Sequence, residues 1–85
     1  MTPRFASGVR LHYDKARERW VVMAPERMFV LDETALEVLR LVDGARSLDD
    51  IAQALAQRFD APRDVIAADV RTMLDDLAAR GALAP

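Results

Sequence analysis

The sequence contains no cysteine and a single histidine, His12, and these two shortages remove several kinds of chemistry. Without cysteine the chain can form no disulfide bond, no catalytic thiolate and no cysteine-ligated zinc site. His12 has no second histidine to join it, and nothing in the spacing of the carboxylates suggests a metal centre around it. We therefore expect neither a metal ion nor a cofactor.

Residues for nucleophilic or phosphate chemistry are also scarce. The three glycines stand alone, so there is no glycine-rich phosphate loop. The serines, Ser7 and Ser47, lie outside any nucleophile-elbow pattern. The acid pairs at residues 49–50 and 75–76 fall in helical segments, where adjacent side chains point about 100° apart and do not converge. No set of nucleophile, base and oriented stabiliser results, so we expect a protein that is not an enzyme.

Long apolar runs are missing as well. No stretch approaches the roughly 20 residues needed to cross a bilayer, and the first residues lack the apolar core of a signal peptide. We therefore expect a cytoplasmic protein with no membrane partner. The 85 residues, 52% hydrophobic and 31% charged, predict one folded domain over residues 1–85, with residues 1–7 as a flexible segment.

The first third of the chain has the pattern of strands. Residues 9–13 alternate apolar and polar side chains, and residues 20–24 are rich in β-formers and bounded by proline. Residues 28–31 form a third short apolar run after a tight turn at 25–27. Three strands this short predict a small antiparallel sheet that needs helices on one face to be stable.

The remainder has the pattern of helices. Asp32 is the predicted N-cap of a first helix that ends at Asp43–Gly44. Ser47 is predicted to form a capping box with Asp50, and the apolar residues that follow, as far as Phe59, predict one buried stripe. A third helix is expected between residues 60–62, with proline in its first turn, and Gly81. The predicted fold is α+β and winged helix-turn-helix-like, with three strands followed by three helices.

This helix arrangement raises the alternative of a DNA-binding transcription regulator. The third helix would then be the recognition helix, and its acids outnumber its bases: Arg63, Arg71 and Arg80 against Asp64, Asp69, Asp75 and Asp76. An acidic face repels phosphate, and the net charge of the chain is −2. We therefore expect no nucleic-acid partner, and salt-dependent DNA binding would favour the alternative.

The third predicted strand is uncharged at four successive positions, Met28, Phe29, Val30 and Leu31. If it is an edge strand, its free backbone groups can accept an incoming peptide as a further strand. If it is central, its side chains feed the core. The sequence leaves both arrangements open. An apolar edge can also pair with a second copy, so a homodimer is a further expectation in the absence of peptide.

Three motifs together resemble a known family. They are Trp-Val-Val-Met-Ala-Pro-Glu-Arg-Met at residues 20–28, Leu-Asp-Glu-Thr-Ala at 31–35 and Asp-Gly-Ala-Arg-Ser-Leu-Asp-Asp-Ile at 43–51. This combination resembles the coenzyme PQQ synthesis protein D (PqqD) family, and the likeness runs from about Gly8 to Leu83. No single motif is specific, but the three in this order are.

The resemblance implies a peptide chaperone of pyrroloquinoline quinone (PQQ) biosynthesis. Such a protein binds the precursor peptide PqqA and presents it to the radical SAM enzyme PqqE. The same fold recurs as the recognition element of enzymes that modify ribosomally made peptides. The resemblance further implies that the peptide adds beside the third strand and lies in a groove formed with the third helix. It does not imply that PQQ itself binds.

Carried onto this chain, the resemblance makes the strand residues Met28, Phe29, Val30 and Leu31 the edge, and it makes Ile66, Ala67, Val70, Arg71 and Leu74 the groove wall. These helix positions recur at three- and four-residue steps, so they can share one face. Because strand side chains alternate, Met28 and Val30 share one face and Phe29 and Leu31 the other. Which pair meets the peptide stays open. Arg63 and Arg71 either pair with acidic peptide residues or belong to a solvated helix face.

Overall fold

The structure is a computed structural model that describes residues 2–84. Its elements in chain order are β1 (Arg10–Asp14), β2 (Arg19–Ala24), β3 (Arg27–Val30), α1 (Glu33–Leu39), α2 (Leu48–Phe59) and α3 (Arg63–Ala79). The strands pair antiparallel in the order β1-β2-β3. This confirms the predicted α+β order of three strands followed by three helices. The strand boundaries differ from the predicted ones by at most one residue, and the end of β2 at Ala24 is as predicted.

Side chains that alternate along the strands give the sheet one face toward the helices. Val22 of β2 is fully buried and lies opposite Phe29 of β3, which packs against the core. Ile51 of α2 and Val70 and Leu74 of α3 supply the helical side of the same core. Burying one face of a short sheet against helices is what makes such a sheet stable. The sheet and the helices therefore share a single core cluster.

Two helix starts follow from short polar motifs. The Asp32 carboxylate accepts the backbone N–H of Ala35 at 2.7 Å, as an N-cap does. Ser47 Oγ accepts the N–H of Asp50 at 3.0 Å, and the Asp50 carboxylate accepts the N–H of Ser47 at 3.0 Å. This is the predicted capping box, formed with aspartate. The N–H of Ser47 stabilises the ionised carboxylate and lowers the pKa of Asp50.

The first helix is shorter than predicted. It ends at Leu39, whereas the sequence predicts Asp43–Gly44 as its end. Beyond it the chain tightens, because the N–H groups of Leu41 and Val42 bond to carbonyls three residues back. The Asp43 carboxylate then accepts the N–H groups of Arg46 at 2.8 Å and of Ala45 at 2.9 Å, which forms a local turn in competition with the helix. Those two hydrogen bonds, led by the one from Arg46, lower the pKa of Asp43.

The junction of α2 and α3 also differs slightly from the prediction. Asp60 ends α2 in the left-handed conformation, with φ 51°. Pro62 is the N-cap of α3 and thus precedes the helix, whereas the sequence places proline in its first turn. Its extended backbone, with ψ 129°, lets the chain turn before the helical bonds begin. The correction moves the helix start by one residue and leaves its faces unchanged.

The N-terminal segment packs against the end of the chain. Ala6 donates its N–H to the carbonyl of Ala82 at 3.1 Å, and Ala84 donates to the carbonyl of Arg4 at 2.9 Å. Pro3 is buried, and its carbonyl accepts the N–H of Gly44. The flexibility expected for residues 1–7 concerns motion, so it stays a prediction, and Met1 lies outside the described residues.

Candidate peptide-binding site

The third strand is an edge strand. β3 is hydrogen-bonded to β2, and within residues 2–84 no strand pairs with its other side. The structure thus decides between the two arrangements that the sequence leaves open. An edge of this kind presents backbone N–H and C=O groups to an incoming strand. The question is which residues offer them.

The register of the hairpin answers that question. β2 and β3 are joined through a two-residue turn, with Ala24 opposite Arg27. In such a hairpin the flanking residues form a hydrogen-bonded pair, and bonded and non-bonded pairs then alternate along the ladder. Phe29, opposite Val22, is therefore also bonded to β2. The backbone groups of Met28 and Val30 consequently point outward, toward the open side.

The side chains of β3 divide between two environments. Phe29 and Leu31 are half-buried against the core, while Met28 is 37% and Val30 54% exposed. The Arg17 guanidinium, from the turn between β1 and β2, lies 3.5 Å from the Met28 sulfur. Phe29 and Leu31 therefore serve the core, and the residues whose backbone is open also expose their side chains.

A groove of about 670 Å³ lies among the three helices. Its apolar lining includes Leu36 of α1, Phe59 at the end of α2, and Ile66, Val70 and Met73 of α3. The α3 residues follow one another at three- and four-residue steps, as residues on one helix face do. A pocket with an apolar lining and charged residues around it is the usual form of a binding site.

The groove adjoins a second, shallower depression at the end of β3. Val30 and Leu31 line this depression together with Asp32 and Glu33. Glu33 also lines the helical groove, so the two depressions meet at the first turn of α1. A peptide that pairs with β3 can therefore continue from the strand edge into the groove.

The basic side chains of the groove are held by one carboxylate. Arg40 pairs with Glu37 at 4.0 Å, and Arg58 contacts the other oxygen of the same carboxylate. Arg40 also lies over the Trp20 ring, 5.4 Å from its centroid. Both arginines are therefore engaged by Glu37, although about half of each arginine side chain remains exposed.

The groove wall inferred from the resemblance is only partly assembled in this groove. Ile66 and Val70 line it, and Leu74, 2% exposed, packs in the core behind it. Ala67 and Arg71 line neither depression. Their role in binding, like that of the other predicted site residues, stays a prediction.

Arg63 lies outside both depressions as well. Its guanidinium pairs with Asp49 of α2 at 3.6 Å, and both side chains are at least half exposed. Such an exposed pair is weak, about 0–1 kcal/mol, so it joins α2 to α3 only loosely.

Sequence reasoning missed two kinds of residue in the groove. Leu36 and Glu33 of α1 line it, although no local pattern indicates that α1 faces α3. Phe59, which the sequence places in a buried stripe, is 54% exposed, with the Arg58 guanidinium 5.3 Å from its ring centroid. Phe59 is the last residue of α2, where the stripe runs past the edge of the core. Its position at the helix end is the one signal that could have indicated exposure.

The described part of the chain, residues 2–84, holds neither a group of metal ligands nor a membrane-spanning helix. Within residues 2–84 no three histidine, aspartate or glutamate side chains are grouped as ligands of a metal ion. None of the helices α1 to α3 is both long enough and apolar enough to span a bilayer.

Comparison with known proteins identifies the family. The family model described as coenzyme PQQ synthesis protein D (PqqD) matches residues 19–83, well over half of the chain. The chain belongs to the PqqD family. Among curated relatives of this PqqD-family chain is a PqqA binding protein of Gluconobacter oxydans, 48% identical over 79 residues, which span 93% of this chain and 82% of the relative. The resemblance drawn from the three sequence motifs is thereby confirmed.

Solved structures agree with this assignment. The PqqD truncation of Methylobacterium extorquens PqqCD, described as a functional and stand-alone RiPP recognition element, matches with a TM-score of 0.82 and 46% identity. The match covers 98% of this PqqD-family chain and 88% of the other. A lasso peptide synthetase B1 complexed with the leader peptide matches over 100% of both chains with a TM-score of 0.79, and at 24% identity this shows a shared fold alone.

Proposed function

We propose that this PqqD-family chain is an adaptor that binds the precursor peptide PqqA by strand addition at β3 and presents it to the radical SAM enzyme PqqE. The observation that carries the proposal is the open edge of β3 beside the helical groove. Its relatives support the choice of ligand, since the Gluconobacter protein is a PqqA binding protein.

The binding mode follows from the orientation of the β3 backbone. An incoming extended peptide bonds to the outward N–H and C=O groups of Met28 and Val30. These groups are already aligned in the strand, so little order has to be created on binding. Beyond Leu31 the peptide reaches Glu33 and the groove, where Ile66 and Met73 can bury an apolar side chain. Backbone hydrogen bonds at β3 supply the affinity, and the fit of a side chain in the groove supplies the selectivity.

The proposal assigns no catalysis to this chain, which works in the cytoplasm and hands its ligand to an enzyme. The PqqD region of Methylobacterium extorquens PqqCD is part of a longer chain yet is described as functional by itself. That description supports an independently acting recognition module. In the absence of peptide, two copies pair through the open β3 edge, so that PqqA and a second copy compete for the same backbone groups.

The test is a titration of ¹⁵N-labelled protein with synthetic PqqA, followed by amide shifts. We expect the largest shifts at Met28, Val30 and the α3 face around Ile66, with a scrambled peptide as the control. Unchanged β3 and α3 amides at high micromolar PqqA would refute the proposal. The same titration with duplex DNA at low salt tests the alternative of a transcription regulator, which requires a salt-dependent response.

A further inference from the structure

The passage from the strand edge to the groove is lined by more acids than bases. The charged residues that line the depression at the end of β3 are three acids and one base, namely Glu18, Asp32, Glu33 and Arg19. Asp32 is committed to capping α1, but its charge remains. An occupant of this depression meets a negative field, which favours a cation.

The groove itself continues this pattern. Its charged lining is Glu33, Glu37 and Asp69 against Arg40 and Arg58. Both arginines are paired with Glu37. Glu33 and Asp69 form no ion pair within residues 2–84, although each lines the groove. The carboxylates open to a ligand are thus one on α1, where the two depressions meet, and one on the α3 wall.

The arginines expected to bind acidic peptide residues lie elsewhere. Arg63 is paired with Asp49 and lines neither depression, and Arg71 lines neither. Between the end of β3 and the groove, the excess charge is therefore opposite in sign to the one that those arginines would provide.

We infer that the site selects peptides that carry a lysine or arginine next to the segment pairing with Val30, together with an apolar side chain for the groove. The cation lies between Glu33 and Asp69, and the apolar side chain packs on Ile66 and Met73. This inference rests on the proposed function, because it specifies the ligand of the same site.

The expected effect is modest for each carboxylate. Exposed ion pairs contribute up to about 1 kcal/mol, which corresponds to roughly a fivefold change in affinity. The contribution of the cation should appear mainly in the association rate, and this contribution should become smaller as salt is added. Reversing the charge on both the protein and the peptide is therefore more informative than measuring the affinity lost when one carboxylate is removed.

The experiment uses calorimetry with synthetic PqqA and peptides in which each lysine or arginine is replaced singly by glutamate. Glu33→Lys with Asp69→Lys should weaken PqqA binding about tenfold or more, and one glutamate peptide should regain affinity for this double variant while losing it for the parent protein. Asp75→Lys is the control: it lies on α3, lines neither depression and adds the same charge per substitution. Thermal unfolding of each variant checks that α1 and α3 are retained.

The outcomes separate the two proposals. If PqqA does not bind the parent protein, the proposed function fails and the inference fails with it. If PqqA binds, but the double variant binds it as tightly as Asp75→Lys does, the inference alone is overturned. A PqqA in which no lysine or arginine affects binding overturns it equally. The inference is supported if the parent protein prefers PqqA, the double variant prefers the glutamate peptide, and Asp75→Lys keeps the preference of the parent protein.

Discussion

Replacing Val30 by proline isolates the backbone contribution to peptide binding. The N–H of Val30 points away from β2, so its loss removes no hydrogen bond of the folded chain. Proline is tolerated on edge strands, and it restricts the preceding residue to the extended conformation that Phe29 already has. Val30 is 54% exposed, so little packing is lost. We expect the stability of Val30→Pro to stay within about 1 kcal/mol of the parent protein.

The peptide, in contrast, loses a donor and meets the proline ring. A net backbone hydrogen bond contributes about 0.5–1.5 kcal/mol, and a peptide carbonyl left buried without a partner costs about 1–3 kcal/mol. Because both figures describe the same lost hydrogen bond, the expected loss is about 1–3 kcal/mol, which corresponds to affinity that is roughly 5- to 150-fold weaker. The lower limit applies if water reaches the orphaned carbonyl.

Calorimetry with PqqA measures this loss, and Val30→Thr is the matched control. Threonine has nearly the shape of valine and keeps the N–H, so this variant should bind within a few-fold of the parent protein. Equal affinity of Val30→Pro and Val30→Thr for PqqA, with both folded, would refute strand addition at this edge. The groove would then have to supply the affinity alone.

Three further outcomes test the fold. Ile51→Ala should cost about 2–5 kcal/mol in urea unfolding because Ile51 is 0% exposed, and a loss no larger than that of Val65→Ala, at a position 57% exposed, would contradict this core. Ser47→Ala should lower the free energy of unfolding by about 1 kcal/mol because it removes the capping box, whereas Ser47→Asn keeps a capping side chain and should not. Equal losses in the two variants would exclude the cap as the cause. Because the pKa of Asp43 is lowered in the fold, its carboxylate stabilises the protein above the unfolded value of 3.8, and this stability is lost as the pH falls from 3.8 through the lower folded pKa. The urea midpoint of Asp43→Asn should therefore fall less steeply with decreasing pH than that of the parent protein. Midpoints that fall in parallel with pH would refute the assignment.

Local sequence signals determined the order of the elements and several of their ends. Ser47 and Asp50, three residues apart, form the capping box, and Asp32 caps α1 over the same spacing. These features depend on neighbours within one turn, and side-chain hydrogen bonds at that range need no tertiary partner. The three family motifs are also local strings of residues, which is why the resemblance could be drawn before any fold was known.

The end of α1 and the edge of the core were harder to predict from the sequence. The apolar pattern of α1 continues through Val42, which is buried, yet the helix stops at Leu39 because Asp43 closes a competing turn. A buried apolar residue fits a helix or a turn equally well, so periodicity alone could not place the end. The exposure of Phe59 is a similar case, since helical spacing says which residues share a face but not where the core stops.

The sequence by itself determined that this is a small α+β domain with an uncharged third strand and helices that begin at Asp32 and Ser47. Only the tertiary structure decided that β3 is an edge, that Met28 and Val30 carry the open backbone groups, and that Glu33 and Asp69 flank a groove between α1 and α3. The physical reason is range. Caps and turns are formed by residues a few positions apart, whereas an edge and a groove exist only through packing between segments that are distant in the chain.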